Sequence, residues 1–262
     1  MDLNLTGRHA LVCGASEGIG RAAAHELALL GASVTLLARR AEVLAEVMAA
    51  LPRTPGEQHH DGIAVDVADA APLQAKVSAL AAARPIHILV NNTGGPPGGR
   101  AIDAVADDYL AAFHRHLLAN QLLAQSTVPG MRAAGWGRII NVVSTSVKEP
   151  IANLGVSNTI RGAVASWAKT LSKELGAYGI TVNNVLPGYT RTGRLEQILR
   201  DRVQATGKDE AAVSAAMLAS VPAGRFAEAH EVAAAIAFLA TPAAGYVNGV
   251  SLAVDGGRMQ SI

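Results

Sequence analysis

Short apolar runs alternate with amphipathic stretches along the whole chain. Most of the runs are apolar at successive positions, which is typical of strands that helices cover on both faces. They predict seven strands, at residues 9–13, 33–38, 63–65, 87–90, 138–143, 180–185 and 250–254. The stretches with helical spacing predict helices at residues 19–30, 41–51, 71–83, 103–132, 157–176 and 228–239. This alternation predicts an α/β fold, a doubly wound parallel sheet in a single domain over residues 1–262.

Three connecting segments stand out from this pattern. Residues 52–60 are predicted to form a surface loop, and residues 91–100 a loop at the carboxyl end of the fourth strand. Residues 191–226 are weakly patterned and contain three glycines, which predicts a mobile helical insertion over the sheet edge. Such an insertion is either a lid over a ligand site or a plain surface excursion.

A glycine cluster follows the first apolar run, with Gly14, Gly18 and Gly20 in a G-x-x-x-G-x-G spacing. A strand–turn–helix of this kind lets backbone N–H groups approach a pyrophosphate at the positive end of the helix. The spacing differs from the G-x-G-x-x-G dinucleotide fingerprint, and any tight β–α turn favours glycine. The turn alone therefore leaves a phosphate site and an ordinary tight turn both open.

Composition narrows the function classes. Hydrophobic residues make up 50% of the 262 residues, which is enough for one large core, while only 16% are charged and the net charge is +1. The absence of a basic patch argues against nucleic acid or a membrane as the main partner. The single cysteine, Cys13, excludes a disulfide framework. It also argues against a zinc site, so no metal is expected. With no signal peptide or long apolar run visible, we expect a cytoplasmic protein.

Five motifs resemble those of the short-chain dehydrogenases/reductases. In chain order they are residues 13–20 (T-G-x-x-x-G-I-G, with Cys13 for threonine), Asp66-Val67 (the adenine-contacting dipeptide), residues 91–94 (N-N-A-G, with Thr93 for alanine), Pro187-Gly188 with Thr192 (P-G-x-x-x-T, beside the nicotinamide) and residues 255–257 (D-G-G). The resemblance covers nearly the whole chain. It implies a Rossmann-type sheet of strand order 3-2-1-4-5-6-7, a nicotinamide cofactor and usually a homotetramer. Each motif follows a predicted strand, at the edge where open parallel sheets bind ligands.

The resemblance implies a set of cofactor-binding residues: Gly14, Ser16, Gly18, Ile19, Gly20, Arg39, Asp66, Val67, Asn92, Gly94, Arg161, Pro187, Gly188, Thr190 and Thr192. The choice between NADP(H) and NAD(H) depends on the end of the second strand, where an acid would bond the ribose 2′-OH of NAD. Here Arg39 and Arg40 follow that strand with no acid before Glu42, and Arg39 can fork onto a 2′-phosphate. NADP(H) is therefore favoured, with NAD(H) as the alternative. Two points oppose it: the arginines could be a solvated pair, and Glu17 stands where relatives that prefer NADP often carry a basic residue.

The family's catalytic tetrad of Asn, Ser, Tyr and Lys is incomplete in this chain. Ser144 matches the serine, but none of the four tyrosines has a lysine four residues later. The apolar stripe of the following helix places Ser157 at the tyrosine position and Arg161 at the lysine position, and His116 takes the asparagine position. A subgroup resembling 3-oxoacyl-acyl-carrier-protein reductases departs from the tetrad in this way, and residues 91–97 and 147–150 look like that subgroup.

The missing tyrosine and lysine leave the proton donor open. A serine hydroxyl is a far weaker acid than an activated phenol, and an arginine stays protonated, although Arg161 could still bond the cofactor ribose. His116, Tyr189 and Lys148 are alternative donors. The more ordinary interpretations are a buried hydrogen-bonded histidine, a lid anchor and a solvated loop residue. The candidate catalytic residues are therefore Ser144, Ser157, Arg161 and His116.

Three functional hypotheses follow. The first is an NADP(H)-dependent oxidoreductase that acts on a small carbonyl or alcohol substrate, a class that includes 3-oxoacyl compounds. In this hypothesis Ser144 donates a hydrogen bond to the substrate oxygen. The second is a non-catalytic dinucleotide-binding protein, a sensor or an assembly partner. The third is lyase or isomerase chemistry on the same scaffold. The faces of segments 103–132 and 157–176 that are predicted to be exposed carry few charges, which favours a homotetramer.

Overall fold

The computed structural model describes residues 1–54 and 57–261. Pro55 and Gly56, in the predicted surface loop 52–60, and Ile262 lie outside the described residues. In the described part, seven strands form one sheet, with the order β3-β2-β1-β4-β5-β6-β7 and parallel pairing throughout. The strands are β1 His9–Cys13, β2 Ser33–Ala38, β3 Asp61–Ala64, β4 Ile88–Asn91, β5 Gly137–Val142, β6 Ile180–Pro187 and β7 Ser251–Val254. This confirms the α/β Rossmann-type sheet and its strand order.

Helices cover both faces of the sheet. They are α1 Gly18–Leu29, α2 Ala41–Ala49, α3 Ala70–Ala83, α4 Ala106–Phe113, α5 Ala119–Ala133, α6 Gly155–Leu175, α7 Gly193–Thr206, α8 Glu210–Leu218 and α9 Ala229–Ala240. One apolar core lies between the sheet and α1, α2 and α9, and the other between the sheet and α3, α5 and α6. Alternate residues of β1 enter opposite cores: Ala10 and Val12 the first, Leu11 and Cys13 the second. Two-sided burial explains why the strands are continuous apolar runs.

Several predicted boundaries differ from the structure. The edge strand β3 begins at Asp61, earlier than predicted, because Asp61 and Gly62 pair through their backbones with β2 although neither is apolar. β6 extends to Pro187, and α6 begins at Gly155 instead of residue 157. The predicted helix 103–132 is divided into α4 and α5 by a π-helical turn, His114–Leu118.

The segment 191–226 contains α7 and α8. The two helices enclose a small apolar cluster of their own, made of Leu195, Leu199, Val213, Met217 and Phe226. Because α7 and α8 bury their apolar residues against each other and not against the sheet, the segment lacks the regular apolar stripe of the helices that cover the sheet. No helix in the described ranges is long and apolar enough to cross a membrane.

Candidate cofactor and active site

The turn between β1 and α1 requires glycine at three positions. Gly14 and Gly18 have φ values of +60° and +55°, the left-handed region that favours glycine. A Cβ on Gly20 would overlap the carbonyl oxygen of Gly14 and lie 2.7 Å from Asn92 Nδ2. The Asn92 amide donates to the carbonyl oxygens of Cys13 and Gly14, at 3.3 and 3.4 Å. The N-N-T-G segment after β4 therefore braces the turn after β1.

The N-terminus of α1 is open to an anion. Its N-cap residue, Glu17, makes no side-chain hydrogen bond to the first turn, and no side chain among the described residues accepts from the first N–H groups of α1. A Cβ on Gly18 would lie 3.1 Å from the Thr192 methyl group, which places Thr192 directly opposite the turn. Ser16 and Ile19 lie in the same turn, both partly exposed. This cradle of glycines and free N–H groups fits the diphosphate of a dinucleotide.

Arg39 and Arg40 leave the carboxyl end of β2 as exposed residues. Arg40 Nη2 lies 3.6 Å from a carboxylate oxygen of Glu17. Within residues 1–54 and 57–261, Arg39 has no carboxylate within 4 Å, so its guanidinium is available to a ligand phosphate. The charge of Glu17, which opposed NADP in the sequence, faces Arg40 instead of Arg39.

The remaining cofactor candidates line the same edge. Asp66 accepts from the N–H of Ala68 at 3.0 Å, and Val67 packs on the second core. A Cβ on Gly94 would meet nothing within 4 Å, so this loop is open. Pro187 ends β6, and a Cβ on Gly188 would lie 2.7 Å from the Cα of Asp255, so the P-G and D-G-G motifs are packed together.

The threonines after Pro187-Gly188 brace one another. Thr190 Oγ1 donates to the Gly188 carbonyl at 3.2 Å, and Thr192 Oγ1 donates to the Thr190 carbonyl at 3.3 Å. Thr192 is also the N-cap residue of α7, so the chain turns from the sheet edge into the segment 191–226 at this point.

The three predicted tetrad positions on β5 and α6 meet at the carboxyl edge of the sheet. Ser144 follows β5, and its Oγ accepts from the N–H of Ser146 at 3.1 Å, which leaves its own O–H free to donate. Ser157 lies buried in the first turn of α6, and Arg161 is buried one turn later. Arg161 Nη1 donates to the Val142 carbonyl at 2.9 Å and Nη2 to the Thr93 carbonyl at 3.3 Å.

His116 lies in the π-helical turn and joins this network through Thr93. Its Nδ1 is 2.6 Å from Thr93 Oγ1, and its Nε2 is buried without a hydrogen-bond partner among the described residues. Thr93, which the sequence analysis did not select, therefore joins His116 to Arg161: its hydroxyl contacts the first and its carbonyl the second. Two departures from the family pattern could have pointed to this contact. Thr93 replaces the alanine of N-N-A-G, and His116 replaces the asparagine of the tetrad.

Electrostatics keep His116 neutral. Burial, and then the guanidinium groups of Arg161, Arg115 and Arg194, lower the pKa of this imidazole to about 2. Burial and Arg194 lower the pKa of Arg161 to about 10, so Arg161 stays charged at neutral pH. With so low a pKa the imidazole is neutral near pH 7, so it cannot act there as an imidazolium acid. This geometry favours the interpretation of His116 as a buried hydrogen-bonded residue.

Tyr189 and Lys148 occupy positions that favour their more ordinary interpretations. The Tyr189 ring packs edge-on against Phe226 at 6.1 Å, and the Arg258 guanidinium lies 4.7 Å from its centroid. Tyr189 thus anchors the segment 191–226 and the C-terminal residues to each other. Lys148 is exposed after the short turn that follows Ser144.

Arg194 is a second residue that the sequence analysis missed. It lies in the first turn of α7, is partly exposed, and its Nη2 donates to the Pro96 carbonyl at 2.9 Å. It therefore connects the segment 191–226 to the loop that follows β4. The signal was a cation two residues after Thr192, at a helix N-terminus where cations are disfavoured.

Comparisons with known proteins agree with this geometry. The family model adh_short_C2, described as "Enoyl-(Acyl carrier protein) reductase", matches residues 14–258. The chain is 34% identical over 258 residues to the 3-oxoacyl-[acyl-carrier-protein] reductase FabG of Vibrio harveyi, covering 97% of this chain and 98% of that protein. Among solved structures, the L-sorbose reductase from Gluconobacter frateurii complexed with NADPH and L-sorbose matches with a TM-score of 0.92 and 30% identity over 100% of both chains. YwfH, an NADPH-dependent reductase involved in bacilysin biosynthesis, matches with a TM-score of 0.88 and 29% identity, covering 97% of this chain and 99% of that one.

Proposed function

This chain belongs to the short-chain dehydrogenase/reductase family, and we propose that it is an NADP(H)-dependent oxidoreductase that interconverts a small carbonyl compound and its alcohol. The observation that carries the proposal is the cradle at the carboxyl edge of the sheet. There the glycine turn, Thr192 opposite it and the exposed Arg39 fit a dinucleotide with a 2′-phosphate. When bound, the nicotinamide supplies or accepts the hydride.

The chain's own residues orient the substrate and stabilise charge. Ser144 Oγ accepts from the N–H of Ser146, which leaves the Ser144 O–H free to donate to the substrate oxygen. Arg161 is held by two backbone carbonyls, and its remaining N–H groups would bond the cofactor ribose in place of the family lysine. Its positive charge stabilises the alkoxide that forms on the substrate. Ser157 supplies a second hydroxyl at the tyrosine position, and His116 positions Thr93.

Two measurements test this proposal. Calorimetry should show NADPH binding, and NADPH should be oxidised steadily with at least one member of a carbonyl panel. Binding without turnover on any member would instead favour a dinucleotide-binding sensor or assembly partner. Turnover of a substrate with no net change in NADPH would favour lyase or isomerase chemistry.

Cofactor selectivity gives the first specific prediction. NADP(H) should bind more tightly than NAD(H), and Arg39→Asp should reverse the order, because an arginine–phosphate contact is worth about 1.5–3 kcal/mol. Titration calorimetry with both cofactors measures this. Arg40→Asp makes the same charge change one residue away, and it should have the smaller effect because Arg40 faces Glu17. Equal affinities of the wild type for the two cofactors would contradict the prediction.

The oligomeric state gives the second specific prediction. We propose a homotetramer, supported by apolar side chains that α4 and the π-helical turn leave exposed, Leu110 and Leu118 among them. Closed symmetric assembly is the usual way to bury such faces. Light scattering at micromolar concentration should give the mass of four chains, and a monomer would refute the proposal.

We propose that residues 191–226 act as a lid, supported by the Arg194 contact to Pro96 across the cleft and by the separate apolar cluster that lets α7 and α8 move as a unit. A cytoplasmic location stays a prediction from the sequence.

A further inference from the structure

Arg194 occupies a position that helix stability does not explain. It is the second residue of α7, where the helix macrodipole disfavours a cation. Its guanidinium reaches across to the loop after β4: Nη2 donates to Pro96, and a Cβ on Gly95 would lie 3.4 Å from the same atom. The side chain therefore extends toward the open cleft beside Gly94 and Gly95.

Arg194 lies near a second, buried guanidinium group, that of Arg161. It lies close enough to Arg161 and to His116 to lower the pKa of both. No carboxylate in the described ranges lies within 4 Å of Arg161 or Arg194. Asp201 raises the pKa of Arg194 only from a longer distance, and Asp66 lies 3.8 Å from Arg115 instead. Within the described part of the chain, the Arg161 and Arg194 guanidinium groups hydrogen-bond only to carbonyl oxygens, and a bound anion would stabilise both.

The cofactor's phosphates have other partners. The N–H groups of the first turn of α1 would hold the diphosphate, and the exposed Arg39 would hold the 2′-phosphate. Arg194 lies instead beside the loop after β4, on the side of the cleft that holds Arg161 and Thr93. Arg161 also donates to the carbonyl of Val142, two residues before Ser144, so a substrate oxygen bound to Ser144 would lie on this side.

We propose that Arg194 binds a carboxylate of the substrate, so that the compound reduced is an oxo acid and the product a hydroxy acid. This inference rests on the proposed function, because it names the substrate class of the same site. Reduction of an oxo acid takes one hydride from NADPH and one proton from solvent, and gives the hydroxy acid and NADP⁺. A cationic cleft also stabilises the alkoxide that forms beside the carboxylate.

The test is a binding measurement on the protein saturated with NADP⁺. Calorimetry is carried out with 2-hydroxybutyrate and 3-hydroxybutyrate, each beside its neutral amide. At least one acid should bind about 10–100-fold more tightly than its amide, the ratio expected for a charge-assisted contact. Arg194→Gln should abolish this ratio, and Arg194→Lys, which keeps the charge, should retain part of it.

Arg200→Gln is the matched control. Arg200 lies on the same helix, is exposed and pairs with Glu196 at 4.0 Å, so removing its charge should leave the acid-to-amide ratio unchanged. Equal binding of acids and amides to the wild type, or an unchanged ratio in Arg194→Gln, would overturn the proposal. So would weaker NADP⁺ binding in Arg194→Gln with the ratio retained, since that result assigns Arg194 to the cofactor diphosphate.

The same experiment separates this inference from the proposed function. The ratio is measured without turnover, so it holds or fails whether or not the protein oxidises NADPH with any carbonyl compound. Absent turnover with a retained ratio would reject the reductase activity alone. Turnover of neutral ketones with no acid preference would reject the oxo acid alone.

Discussion

The double variant Ser157→Tyr with Arg161→Lys is expected to reduce neutral ketones faster than the wild type by about 10²–10⁴-fold, the usual contribution of general acid catalysis. In the wild type no group at the tetrad positions is a good proton donor. Serine hydroxyls are weak acids, Arg161 stays protonated, and the imidazole of His116 is neutral because its pKa is about 2. A tyrosine beside a lysine has its pKa lowered toward the working pH. We therefore expect weak wild-type activity on neutral ketones.

The single variant Ser157→Tyr should help less than the double variant. Arg161 is held on the carbonyl oxygens of Val142 and Thr93, so it cannot reproduce the placement of charge by a lysine. The measurement is the NADPH oxidation rate of the three proteins with one panel of ketones and 3-oxoacyl thioesters. Melting temperatures accompany it, because Ser157 is buried and the tyrosine must find room. A fast wild type that slows when Ser157 becomes tyrosine would show that the chain has its own proton donor.

The fold was predictable because the five inner strands of the sheet, β2, β1, β4, β5 and β6, are buried on both faces. β1 sends alternate residues into two cores, so the four positions after His9 are all apolar and the strand is visible as a continuous run. The order of the strands came from the family resemblance, and the structure confirms it. β3 was misplaced because an edge strand pairs through backbone groups, and these leave no signal at Asp61 and Gly62.

The candidate site was predictable where a motif marks a backbone requirement. Gly14 and Gly18 need the left-handed region, and Gly20 needs the absence of a Cβ, so sequence alone indicated all three. Thr93 and Arg194 were missed because their roles depend on distant partners. Thr93 meets His116 only because a π-helical turn brings that imidazole to the loop after β4, and Arg194 lies in a segment with little apolar pattern.

Gly20→Ala is the second substitution with a large expected effect. The added methyl group would overlap the Gly14 carbonyl oxygen and lie 2.7 Å from Asn92 Nδ2, and the Gly14 backbone cannot move aside as a flexible side chain could. The turn must then shift and carry the first N–H groups of α1 away from the diphosphate position. Each lost charge-assisted hydrogen bond costs about 1.5–3 kcal/mol. Since about 1.4 kcal/mol is tenfold in affinity, NADPH binding should weaken by about 100-fold or more.

Gly162→Ala is the matched control for this substitution. Gly162 lies within α6, and a Cβ there would meet nothing within 4 Å, so alanine should stabilise the helix by about 0.5–1 kcal/mol. NADPH affinity should be unchanged in this variant, and its melting temperature should rise slightly. Calorimetry and thermal unfolding of both variants give the comparison. If Gly20→Ala bound NADPH as tightly as the wild type while the turn was shifted, the N–H groups of α1 would not be the diphosphate site. The phosphates would then have to be held elsewhere, with the arginines on the cleft as the first residues to substitute.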